Sequence, residues 1–180
     1  FRSKEFPERS YVNKKTDSGW ISYNFREVAE RAKALAAWFL KEGLKAEDRV
    51  AILSAGSPEW VITEFAVILS RGISVPLSIK LLPEEVGFRV NHSKALFIAL
   101  SKNTLDKILT IAGNIEKSIK FLYLDEDFEE IKARFHSSGI PEERVFPISR
   151  CMEEGRILLK DENRETELER ILESIQEEDL

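Results

Sequence analysis

The strongest constraint on this chain is an alternation. Five short apolar runs of strand length are separated by four patterns of helical period. The runs are Val50-Ala51-Ile52-Leu53, Ile73-Ser74-Val75-Pro76-Leu77, Ala95-Leu96-Phe97-Ile98-Ala99, Ile119-Lys120-Phe121-Leu122-Tyr123-Leu124 and Val145-Phe146-Pro147-Ile148. Helices are expected over 58–70, 83–91, 101–112 and 128–135. Strands separated by helices of this length imply right-handed crossovers, hence an α/β fold with an open, mostly parallel sheet and helices on both faces. Val50-Ala51-Ile52-Leu53 is apolar without interruption, as in a strand buried on both faces, and is expected at the centre of the sheet. Pro76 marks a strand end or an edge.

The flanks read differently. Over 1–23, Ser10-Tyr11-Val12-Asn13 and Trp20-Ile21-Ser22-Tyr23 bracket a polar segment ending in Gly19, which predicts a β-hairpin. The clearest helix follows, with Phe25, Val28, Ala29, Ala32, Leu35, Ala36 and Phe39 on one stripe. Asn24 and Glu27 form a capping-box start, Tyr23 and Val28 a hydrophobic staple, and Gly43 a C′ stop. From Arg150 the chain reads as two helices. The expected organisation is therefore a β element over 1–23, the alternating core over 24–149 and a helical acidic segment over 150–180.

Composition narrows the function classes. The chain has 180 residues and a net charge of −5, but Asp161 to Leu180 alone carry −7. The remainder is near neutral at +2, with no basic stripe that would suggest nucleic acid. No apolar run approaches the roughly 18–20 residues of a membrane span. A single cysteine, Cys151, makes neither an intramolecular disulfide nor a zinc cage, so a reducing, cytoplasmic location is expected. There is no signal-peptide stretch and no initiator Met, which suggests a chain that begins inside a longer protein or was trimmed.

Candidate chemistry is sparse. The eight glycines are never closer than thirteen residues apart, so neither G-x-G-x-x-G nor a Walker A loop lies within the chain. Ser54-Ala55-Gly56-Ser57-Pro58 joins a strand to a helix N-terminus, where backbone N–H groups can hold an anion, but one glycine and two hydroxyls read as a plain capped turn. His92 and His136 have no Cys or His at ligand spacing. Cys151 lacks a histidine partner, and Asp125-Glu126-Asp127 is explained by capping and helix-dipole complementation. Asn91-His92-Ser93 has the form of a glycosylation sequon, irrelevant in a reducing compartment. Trp38, Trp60, Phe65 and Phe88 sit at helical spacings expected of core residues. No catalytic, cofactor-binding or metal-ligating residue is assigned.

The order of local patterns carries more. Trp20-Ile21-Ser22-Tyr23-Asn24-Phe25-Arg26-Glu27-Val28-Ala29 resembles the segment that opens AMP-forming acyl-CoA synthetases. Gly43-Leu44-Lys45-Ala46-Glu47-Asp48-Arg49-Val50-Ala51 is similar to their Gly-Val-Lys-x-Gly-Asp-Arg-Val-Ala. Ser57-Pro58-Glu59-Trp60, Gly72-Ile73-Ser74-Val75-Pro76-Leu77, Pro83-Glu84-Glu85-Val86 and Asn91-His92-Ser93-Lys94-Ala95 continue the resemblance in order. Met152-Glu153-Glu154-Gly155-Arg156-Ile157-Leu158-Leu159 and Glu177-Glu178-Asp179-Leu180 are similar to the long-chain fatty acid branch, ahead of its nucleotide-binding core. The sequence departs from the family at Glu47, where Gly is usual, and at Ser78-Ile79-Lys80-Leu81.

The resemblance implies the N-terminal portion of a long-chain fatty acid–CoA ligase. For the whole enzyme it implies a fatty acid, ATP and CoA as substrates, with Mg²⁺ on the phosphates. The phosphate loop and catalytic lysine of the family are not among these 180 residues, so the chain alone is expected to be inactive. Peripheral membrane contact is compatible with such a substrate. The alternatives are a non-enzymatic α/β binding or interaction module, and another acyl- or aryl-CoA ligase of the same superfamily. The helix over 58–70 is apolar nearly all round, which predicts several hundred Å² of exposed apolar surface and a homo-oligomer.

Overall fold

The computed structural model describes residues 2–174. A short helix, α1 (Arg2–Glu5), leads into an antiparallel hairpin of β1 (Ser10–Thr16) and β2 (Gly19–Asn24). The strands run further than the sequence patterns and close over a tight turn at Asp17-Ser18, with Gly19 at φ +135°. Next comes α2 (Phe25–Lys41), begun by the expected capping box. The Glu27 N–H donates to Asn24 Oδ1 and the Asn24 N–H to Glu27 Oε2, both at 2.8 Å. At its other end Gly43 adopts φ +93°, Leu44 N–H reaches Phe39 O at 2.9 Å and Gly43 N–H reaches Leu40 O at 3.1 Å, a Schellman stop.

The alternation then unfolds as β3 (Arg49–Leu53), α3 (Pro58–Leu69), β4 (Ile73–Pro76), α4 (Pro83–Ser93), β5 (Phe97–Leu100), α5 (Lys102–Thr110), β6 (Lys120–Tyr123), α6 (Phe128–Ser137) and β7 (Val145–Pro147). Two helices follow, α7 (Ile148–Leu158) and α8 (Glu162–Glu173). Ile148, read from sequence as the end of a strand, is the first residue of α7 instead. Glu177-Glu178-Asp179-Leu180 lies outside the described residues.

The five strands form one parallel sheet in the order β4-β3-β5-β6-β7. The expected central place of Val50–Leu53 is corrected: β5 is central and β3 lies one strand in from the edge. After α3 takes the chain outward to β4, α4 must carry it back across β3 to start β5. Both neighbours still cover β3, and Val50, Ala51, Ile52 and Leu53 are all fully buried.

Side chains alternate between two cores, as the pleat requires. Val50, Ile52, Phe97, Ala99 and Leu122 meet α2, α3 and α7. Ala51, Leu53, Ile98, Leu100, Phe121 and Tyr123 meet α4, α5 and α6. Trp38 is one hub of the first core, with the Phe39, Phe97 and Phe146 rings at 5.4, 5.7 and 5.2 Å.

Coverage of α3 differs from expectation. Ile62, Ala66 and Val67 are buried, and Trp60, Val61, Phe65, Ile68 and Leu69 are half-buried rather than exposed. The chain supplies the cover itself: α2 lies along one flank, Tyr11 of the hairpin stacks 6.2 Å from Phe65, and Lys14 pairs with Glu59 at 3.5 Å. Phe88 is a second correction, because it is 69% exposed. On α4 the buried stripe runs through Val86, Gly87 and Val90, which turns Phe88 outward onto His92, 5.5 Å away.

Candidate functional site

In an open parallel sheet, ligands bind beyond the carboxyl ends of the strands, where neighbouring crossovers leave to opposite faces. Here that point lies between β3 and β5, since α3 packs on one face and α5 on the other. Its walls are the turn Ser54-Ala55-Gly56-Ser57 after β3 and Ser101 after β5.

The polar groups at this crevice bond within the chain. Thr104 is 1% exposed, and its hydroxyl donates to Leu53 O at 2.7 Å, tying α5 to the end of β3. The Ser54 hydroxyl donates to Ala55 O at 2.9 Å, and Ser57 caps α3 by accepting the Trp60 N–H at 3.1 Å. The Ser101 hydroxyl reaches Asn103 Oδ1 at 2.5 Å. These are helix-capping and turn-closing bonds, each satisfying a group the fold would otherwise leave open. The capped-turn reading of Ser54–Pro58 accounts for every one of its side-chain contacts.

One strand along lies the densest polar cluster of this edge. The Lys102 N–H donates to Asp125 Oδ2 at 2.6 Å, so Asp125 caps α5 rather than the α6 that follows it in sequence. Lys102 Nζ lies 2.6 Å from Asp127 Oδ2, and the Tyr123 hydroxyl donates to Asp127 Oδ1 at 2.8 Å. The Lys102 ammonium, helped by the Tyr123 hydroxyl, holds the Asp127 carboxyl below the usual carboxylate range. Burial, then the hydrogen bond to Asp127, pushes the Tyr123 phenol well above its ordinary value. Asp127 stands at the N-terminus of α6 but makes no side-chain cap there, because both its oxygens face across to β6 and α5. Capping does explain Asp125, though for a neighbouring helix, and does not explain Asp127. Sequence reading did not single out Lys102, Thr104 or Tyr123. The Ser101-x-x-Thr104 spacing after a strand is the one local signal pointing to this corner.

The remaining candidates are scattered. His92 and His136 lie exposed on α4 and α6, on helices rather than at the strand ends. Cys151 is buried in α7, and burial raises its thiol far above the range of a reactive cysteine. Asn91 is engaged through both ends of its amide, donating to Asn114 O at 2.7 Å and accepting Glu116 N–H at 3.3 Å. Among the described residues, no group of three or more His, Cys, Asp or Glu is placed to hold a metal ion.

Comparison with known proteins gives the arrangement a context. Residues 2–169 match a family described as AMP-binding enzyme. The chain is 25% identical over 100 residues to 4-hydroxybutyrate–CoA ligase 2 of Metallosphaera sedula, covering 56% of this chain and 18% of that protein. It is 29% identical over 137 residues to fatty acyl-CoA synthetase A of Dictyostelium discoideum, covering 66% and 20%. The chain thus spans about a fifth of the length of these curated relatives. The crystal structure of the anthranilate CoA ligase AuaEII with anthranoyl-AMP aligns with a TM-score of 0.65 at 18% identity, over 84% of this chain and 26% of that one. At that identity the likeness speaks for the fold.

Proposed function

Because the chain belongs to the AMP-binding enzyme family, we propose that it is the N-terminal α/β portion of an ATP-dependent fatty acid–CoA ligase acting on long-chain acids in the cytoplasm. In that reaction a fatty acid carboxylate attacks the α-phosphorus of ATP, pyrophosphate leaves, and the CoA thiol then displaces AMP from the acyl-adenylate. This segment contributes scaffold rather than chemistry. The observation that carries the scaffold role is that the polar side chains at the crevice between β3 and β5, Thr104, Ser54, Ser57 and Ser101, all bond within the chain.

The carboxylates at this edge do not fit a Mg²⁺ ion. Asp127 is held by Lys102 and Tyr123, and Asp125 by the Lys102 N–H, so no octahedral oxygen set is left facing outward. In this proposal, Mg²⁺, ATP and CoA are handled by polypeptide beyond this segment, and no step is routed through these residues. No described helix is long and apolar enough to cross a membrane; peripheral contact remains part of the proposal because the substrate is a lipid. A homo-oligomeric state is likewise part of the proposal, and light scattering at high micromolar concentration tests it.

The functional test is acid-dependent pyrophosphate release from ATP by the whole gene product, with palmitate, benzoate and 4-hydroxybutyrate compared. Turnover highest with palmitate supports the long-chain reading. Preference for benzoate or 4-hydroxybutyrate moves the protein to another acyl- or aryl-CoA ligase, and no release with any acid overturns the proposal.

A further inference from the structure

Helix α8 is held to the body differently from the other helices beyond α1. Its neighbour α7 buries Ile148, Cys151, Met152 and Gly155, and Glu154 ties it to Lys41 of α2 at 3.0 Å. Of the side chains described in α8, only Leu168 is buried, at 2% exposure, with Ile171 half-buried beside it. Leu168 lines a small cleft together with Ala37, Leu40 and Lys41 of α2, Leu158 of α7 and its own helix's Arg164 and Glu167, and α8 also touches α3. Among the described residues, the hydrogen bonds of α8 stay within itself and its own cap. Asn163 N–H donates to Asp161 Oδ1 at 2.9 Å, and Arg164 pairs with Glu167 at 3.2 Å.

We propose that α8 is a strap that opens and recloses as one unit over the α2–α7 cleft, hinged at Lys160-Asp161, while the five-stranded core stays closed. A twelve-residue helix is marginal in water by itself, so α8 depends on its packing against the body, to which Leu168 contributes the one fully buried side chain among those described. The described side chains of α8 bury far less than those of β3 and β5 in the two cores, and segments with few buried apolar contacts open locally at free energies well below global unfolding. The hinge is short and already turned. Leu159 and Lys160 close the end of α7, and Asp161 caps the start of α8, so the hinge lies between two finished helix ends. Five glutamates against two arginines over 162–173 make the released helix soluble rather than sticky. Opening bares Ala37, Leu40 and Leu158, and α8 is the occupant that covers them again.

Native-state hydrogen exchange on the 180-residue chain tests this, for the unmodified chain and Leu168→Ala. The strap predicts that α8 amides exchange at least about 100-fold faster than those of β3 and β5. It further predicts that Leu168→Ala speeds α8 about tenfold more while β3 and β5 change less than about twofold. Brief trypsin treatment should cut after Arg164 and Arg170 before Trp38 fluorescence changes. Three results each overturn the proposal: α8 amides as slow as those of β3 and β5, sheet amides accelerating together with α8 in the variant, or a variant that does not fold.

Discussion

A Cβ placed on Gly155 would lie 1.8 Å from the carbonyl oxygen of Ala34. The two residues sit where α7 crosses α2, and the absent side chain lets the two backbones touch. Trp38 and Cys151 are buried on either side of this crossing, at 1% exposure each. Gly155 is therefore what brings α7 onto the sheet face as part of the core.

Replacing Gly155 by Ala should destabilise the chain by about 1–3 kcal/mol or more, because the obstacle is backbone and cannot rotate away. Urea denaturation followed by tryptophan fluorescence should show a lower midpoint. Gly56→Ala is the control: nothing lies within 4 Å of its added Cβ, so its change should stay within about 0.5 kcal/mol. Equal midpoints for the two variants would refute the role assigned to the crossing.

Glu47 predicts a change of opposite sign. It sits at φ +65°, the left-handed region, with the Asp48 N–H closing the turn onto Lys45 O at 3.1 Å. Its own N–H donates to Arg71 O at 2.8 Å, so the turn is held in this shape from both ends. A side chain in this conformation is strained, and glycine relieves it. Glu47→Gly should raise stability by about 0.5–1 kcal/mol net of the extra unfolded-state entropy. A lower denaturation midpoint would show that the Glu47 side chain contributes more than the strain costs.

The Asp127 cluster predicts a pH dependence. The folded-state pKa of Asp127 is lowered below 3.8, chiefly by Lys102. Its carboxylate therefore adds stability that is complete above that value and is lost as pH falls through the lower folded-state pKa. The stability gap between the unmodified chain and Asp127→Asn should be flat from about pH 7 to about pH 5, then shrink below about pH 4. A gap that widens on acidification would reverse the assignment of Asp127 as the charged partner of Lys102.

What could be read from the sequence was local. Asn24 and Glu27 lie three residues apart, Gly43 follows the last apolar position of its helix, and the strand runs are short and apolar, so these features appear where expected apart from Ile148, which opens α7. Strand order is not local: α4 carries the chain back over β3, and nothing in Pro83–Ser93 encodes that direction, so the apolar run alone points to the centre while β3 lies one strand in from the edge. The Asp125 cap crosses from one βα unit to the N-terminus of another helix, 23 residues away. Gly155 looks like any helix glycine until Ala34 is opposite it. Glu47 is intermediate, since its departure from the resembling motif was visible and its positive φ supplies the reason.

ATP–pyrophosphate exchange tests the central claim most directly, because it reports adenylate formation before any CoA is needed. The isolated 180-residue chain, folded and supplied with palmitate, ATP and Mg²⁺, should show no palmitate-dependent exchange, while the longer gene product containing it should. Exchange by the isolated chain at a rate near that of the longer product would contradict the account, placing catalytic groups within a segment whose polar residues are here assigned to holding its own fold.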